Sequence, residues 1–213
     1  MTVGAALRLA VVDMYHNSWR LLLLNSAVTA AISVVVLVVS AFPLVLFVGP
    51  LVAGPVAAAL AYCVVLLVRD ESFELADALR GLRTFWKTGF LLGGLFGAGA
   101  LLGALAFSYY AHRVVALAVL SLYVASIFAL VVLVAWPFAV AEEGASVRDA
   151  LWTAWLLTLR APVRLFTLGA ALLVVNALGA ATVLPFLTLT IAYSFLATAR
   201  FVLPAQTLEE VPA

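Results

Sequence analysis

Few side chains in this 213-residue chain could do chemistry, and their spacing limits what they can do. Cys63 is the sole cysteine and lies inside an apolar run, with neither a disulfide partner nor metal-ligand companions. That setting predicts a small buried hydrophobe. His16 and His112 stand far apart and lack the spaced ligands or bases that metal or hydrolytic chemistry needs. No phosphate loop, nucleophile–base pair or pair of carboxyls in an apolar pocket is legible. The sequence predicts no catalytic, cofactor or metal site and a non-enzymatic protein.

The remaining polar groups of the apolar runs are mild. Asn25, Asn176 and Thr190, with Ser, Thr and Tyr neighbours such as Thr29, Thr188, Tyr193, Ser194 and Thr198, could line a solute path. Such groups more often bond neighbouring helices or their own backbone, and this second use is the expectation. Acids, Lys and His are missing from the centres of the apolar runs. A charge there costs at least about 2.5 kcal/mol, so ion-coupled machines keep one only where it works. Its absence argues against a proton-coupled transporter or pump.

The elements that carry these residues follow from composition and charge. Apolar residues make up 67% of the chain and charged residues 10%, too little polarity to cover a soluble fold. Twenty of the 21 charged residues fall into four clusters, Arg8 to Arg20, Arg69 to Lys87, Glu142 to Arg164 and Arg200 to Glu210; Arg113 is the exception. The segments between them must live in hydrocarbon, so the fold class is all-α, a polytopic helical membrane protein. Without a contiguous basic face, nucleic acid is not a partner.

Six segments reach the roughly 20 residues a span requires: 21–42, 51–68, 89–108, 114–136, 163–180 and 182–203. Pro43 is expected to kink or end the first, Gly49-Pro50 and Gly54-Pro55 to mark the turn into the second, and residues 178–181 to form a tight hairpin between the last two. Five spans remain an alternative. With six, ten of the eleven Lys and Arg residues share one side with both termini, and the positive-inside rule makes that side cytoplasmic. Arg outnumbers Lys ten to one, a compositional hint of a GC-rich bacterial genome, so the expected location is a bacterial cytoplasmic (inner) membrane. The early Asp13, His16 and Asn17 argue against a cleaved signal peptide.

Two short helices are expected on the cytoplasmic side. In Ser72 to Lys87, with Ser72 as N-cap, Leu75, Leu79, Leu82 and Trp86 form an apolar stripe at the membrane interface. In Ser146 to Arg160, Leu151, Trp155 and Leu159 do the same, with Trp152 as a second anchor. Arg80, Arg83, Lys87, Arg160 and Arg164 make a candidate interaction face for a cytoplasmic protein or anionic lipid; because nearby acids offset each basic cluster, a connector that fixes hairpin geometry is the expectation for the two helices themselves. The tripeptides Ala5-Ala6-Leu7, Asp77-Ala78-Leu79 and Asp149-Ala150-Leu151 recur at intervals of 72 residues, and Asp70-Glu71, Glu142-Glu143 and Glu209-Glu210 follow the three apolar hairpins. One integral membrane domain, 1–213, built from three units of surface helix plus hairpin (1–71, 72–143, 144–213) accounts for this pattern, the first unit most faintly. Gly93, Gly97, Gly99 and Gly103 provide small-residue spacings for close helix packing, intramolecular rather than between copies. The oligomeric state stays open.

The run from Gly54 to Tyr62, the Val68-Arg69-Asp70-Glu71 junction, the helix ending Phe85-Trp86-Lys87, and Asn17-Ser18-Trp19 before the first span resemble the YesL-like family of small bacterial integral membrane proteins. The resemblance covers residues 13–90 best and implies a polytopic helical fold without known catalytic residues. It also implies an accessory role beside carbohydrate uptake. Three functions are open on the sequence: an accessory or scaffold protein acting through its cytoplasmic helices, a small-solute permease or channel, and inner-leaflet lipid handling. The expected partners are membrane lipids and a membrane or cytoplasmic protein.

Overall fold

The computed structural model describes residues 2–41, 49–70, 72–182 and 189–209. Those residues form eight helices and no strand: α1 (Val3–His16), α2 (Ser18–Ala41), α3 (Gly49–Asp70), α4 (Leu75–Ala111), α5 (Val115–Ala141), α6 (Val147–Arg160), α7 (Pro162–Thr182) and α8 (Ile191–Glu209). Four stretches are, by length and composition, long and apolar enough to cross a bilayer, namely Val52–Asp70, Leu75–Ala111, Val115–Ala141 and Pro162–Thr182, in an all-helical fold. The first and sixth expected spans are represented by the shorter apolar stretches Ser18–Val34 and Ile191–Leu203. The kink expected at Pro43 and the polar position Thr188 lie outside the described residues.

Several boundaries differ from those expected. Helix α7 continues through residues 178–181 to Thr182, so no hairpin falls there; Thr182 Oγ1 donates back to the Leu178 carbonyl within that last turn. Helix α3 starts at Gly49 and takes Pro55 into its interior, so Gly54-Pro55 is not the entry turn. The reason is packing: Gly54 sits against Gly89 of α4, and that crossing needs a continuous helix on both sides. The expected surface helix from Ser72 is the first arm of α4, continuous with the third span and interrupted only by non-helical backbone at Phe85. Its N-cap is Glu74, not Ser72. The Asp77 carboxylate reaches back to accept from the Glu74 amide at 2.8 Å, which fixes the helix start two residues later than the Ser72 signal. Ser146 caps α6 as expected, accepting from the Arg148 amide at 3.2 Å.

Helices α3, α5 and α8 pack against one another and carry most of the buried core, including Leu60, Leu67, Val132, Val134, Leu196 and Val202. Helix α2 lies on α3, and α4 lies on both α3 and α5. The short elements dock on this inner group: the first arm of α4 on α3, α6 on α5, and α1 on α8. Each presents small residues inward, Ala6 and Ala10 on α1, Gly81 on α4, Ala150 and Ala154 on α6. Many of their large apolar residues point outward, with Leu79, Trp86, Trp152 and Leu159 at least half exposed. Lipid is as apolar as leucine, so helices in a bilayer associate through close backbone approach, and small residues inward with bulk outward suits that environment.

Candidate functional site

Polar residues of two apolar helices, Asn25 of α2 and Asn176 of α7, both bond to the N-terminal part of α8. The first amides of a helix have no partner within it. Asn25, fully buried on α2, supplies one from outside: its Oδ1 accepts from the Ala192 amide at the start of α8, at 2.7 Å. From α7, Asn176 Nδ2 donates to Ser194 Oγ at 2.7 Å and to the Leu172 carbonyl at 2.8 Å. Ser194 Oγ donates to the Thr190 carbonyl, and Thr198 Oγ1 to the Ser194 carbonyl. Three of the positions read as a polar path, Asn25, Asn176 and Thr190, are thus brought to one and a half turns of α8. Their hydrogen-bonding groups are engaged by protein: no buried side-chain nitrogen or oxygen among the described residues lacks a partner. In an apolar medium each unmade bond would cost several kcal/mol, and two of these, Asn25 with Ala192 and Asn176 with Ser194, hold α8 to α2 and α7.

Long-range bonds join the charge clusters. Arg200 Nε and Asp13 Oδ2, both largely shielded, form an ion pair at 2.6 Å that fastens α1 to α8. Arg20, stacked over Trp19, donates to the Phe73 carbonyl at 2.6 Å. Arg69 donates to the Ala141 carbonyl at 2.7 Å, on the C-terminal turn of α5 where a cation meets the negative end of the helix dipole. These contacts link the first cluster to the second and fourth, and the second to the start of the third. Arg113 stays apart, stacked on Tyr109 and bonded to its hydroxyl in the α4–α5 turn.

The candidate interaction residues remain on the surface. Arg80, Arg83 and Lys87 are exposed on α4, with Lys87 over the Trp86 ring; Arg160 ends α6 and Arg164 lies in the first turn of α7, both exposed. They form two sets on separate elements. The glycine stripe also divides. Gly93 joins Gly89 against Gly54 of α3, whereas Gly99 faces Phe128 and Gly103 faces Ala125 of α5; Gly97 is half-buried between them. His16 bonds the Val12 carbonyl, His112 caps α4, and Cys63 is fully buried in α3.

A groove of about 1040 Å³ opens between α5 and α6, walled by Val124, Ile127, Phe128 and Val131 on one side and by Arg148, Asp149, Trp152 and Trp155 on the other. A second, of about 660 Å³, lies in the corresponding place under α1, where Val11, Tyr15, Leu178 and Tyr193 border it. Sequence reasoning did not find these grooves, the Asp13–Arg200 pair or the Gly54–Gly89 crossing. One signal was available: the i, i+4 alanine pairs on α1 and α6, opposite the large residues, mark buried seams.

No protein-family description matches the chain, and no curated protein or solved structure matches it either.

Proposed function

We propose that the chain is a non-enzymatic accessory or scaffold protein of a bacterial cytoplasmic membrane, presenting its charged end to a membrane or cytoplasmic protein partner. In this reading α2 and α8 complete six spans, both termini are cytoplasmic, and the first arm of α4 together with α6 lies at the inner interface. The observation that carries it is how the polarity is used. Asn25, Asn176 and Ser194 tie α2 and α7 to α8, while Arg80, Arg83, Lys87, Arg160 and Arg164 stay exposed. Kinship with the YesL-like family belongs to the same proposal, as does a link to carbohydrate uptake. A threefold origin is part of it too, supported by helix starts at Val3, Leu75 and Val147, which repeat at the 72-residue interval of the sequence motifs.

The test is affinity purification of the full chain in mild detergent, beside a variant with all five basic residues changed to Gln. Reproducible partners lost in the variant support the scaffold; the same recovery from both sinks it. Reporters at residue 213 and beside Arg113 should appear on opposite sides of the membrane. The second reading, a small-solute permease, draws on the convergence of Asn25, Asn176 and Thr190. It requires that Leu at those three positions abolish flux through reconstituted vesicles.

A further inference from the structure

We propose that the groove between α5 and α6 holds one zwitterionic aminophospholipid, with its phosphate on Arg148, its ammonium on Asp149 and an acyl chain along α5. The proposal rests on the membrane reading alone and not on the scaffold role. Its first support is depth. About 20 residues from the start of α5 cross the hydrocarbon and end near residue 135. The wall from Val124 to Val131 therefore runs for about 10 Å from near the bilayer midplane toward the end where α6 packs, so hydrocarbon is what meets it. A void of this size lined by apolar side chains is filled by a lipid tail at far lower cost than by water.

Headgroup chemistry gives the second support. Arg148 and Asp149 stand side by side in the opposite wall, both exposed, and Arg148 forms no ion pair among the described residues. A purely anionic headgroup would satisfy the guanidinium and be repelled by the carboxylate. A headgroup carrying a phosphate and a primary ammonium satisfies both, and the N–H donors of the ammonium give Asp149 charge-assisted hydrogen bonds. Trp152 and Trp155 border the same mouth, the level that tryptophan prefers in a bilayer. The groove under α1 provides the contrast: no charged residue lines it, so nothing there would select a headgroup.

The experiment uses the full chain, delipidated in detergent and titrated with mixed micelles of phosphatidylethanolamine, phosphatidylglycerol or phosphatidylcholine bearing brominated acyl chains. Quenching of tryptophan fluorescence reports occupancy beside Trp152 and Trp155. Phosphatidylethanolamine should quench saturably, at a mole fraction roughly tenfold below the other two, the size of one charge-assisted hydrogen bond. Arg148→Gln should raise that mole fraction roughly tenfold. Asp149→Asn should erase the preference over phosphatidylcholine, which has no N–H donor. Val124→Trp, which fills the groove from an exposed position, should remove the saturable component while the melting temperature holds. Equal, non-saturating quenching by all three lipids, a preference for phosphatidylglycerol, or an unchanged response in Arg148→Gln would overturn the site. Resistance of the chain to alkaline extraction from membranes tests the membrane reading separately.

Discussion

Replacing Gly54 with Ala should force α3 away from α4 and weaken the fold, whereas the same change at Gly4 of α1 should not. A Cβ at Gly54 would stand 2.1 Å from the Gly89 carbonyl oxygen and 2.8 Å from its carbon, against 3.4 Å or more for an ordinary contact. The obstacle is backbone on a neighbouring helix, so no side chain can swing away and α3 must move from α4 by more than an ångström. That separation loosens the crossing that also includes Gly93. Overpacking of this kind costs about 3 kcal/mol, and the better helix propensity of Ala returns at most about 1 kcal/mol. A net loss of about 2 kcal/mol is expected. The assay is equilibrium unfolding in mixed detergent micelles, followed by circular dichroism, beside Gly4→Ala. Gly4 has open space around it, so that change should be neutral or gain up to about 1 kcal/mol. Gly89→Ala, whose Cβ would meet the Gly54 carbonyl oxygen at 2.6 Å, should match Gly54→Ala, and the two should not add. Stability of Gly54→Ala within about 0.5 kcal/mol of the parent chain would refute the reasoning, because it would mean that the two backbones do not meet.

Two further outcomes follow from the polar contacts. Asn25→Leu removes the acceptor of the buried Ala192 amide and should cost about 1–3 kcal/mol in the same unfolding assay, whereas Ser26→Ala one position away should cost little. Asp13→Asn and Arg200→Gln, combined in a double-mutant cycle, should show a coupling of about 1–2 kcal/mol, as befits a shielded ion pair; additive losses would show that α1 is not fastened to α8 through it.

Much of the architecture was legible from charge and hydropathy, because solvent preference acts locally along the chain. Charge clusters fall where α3 and α5 stop and where α4 and α7 start, and Ser146 caps α6 through a contact two residues away. Where reading failed, a contact that the residue pattern did not show had intervened, between two helices at Gly54 and within a single turn at Ser72. Gly54-Pro55 looks like a turn until Gly89 is placed against it. Ser72 looks like a cap until the Asp77 carboxylate selects Glu74. The polar positions Asn25, Asn176 and Thr190 were nameable in advance, but whether they faced a lumen or a neighbouring helix depends on the angle at which three helices meet.

By itself, then, the sequence determined that long apolar segments alternate with four charged ones, since each residue's transfer free energy between water and hydrocarbon is its own property. Tertiary structure alone decided which helices surround which: that α3, α5 and α8 form the inner group, that α1 returns to dock on α8 through Asp13 and Arg200, and that α6 leaves a groove open beside α5. Those choices depend on backbone approach and hydrogen bonds between residues up to 187 positions apart, and no local pattern encodes which glycine, asparagine or arginine will meet which partner.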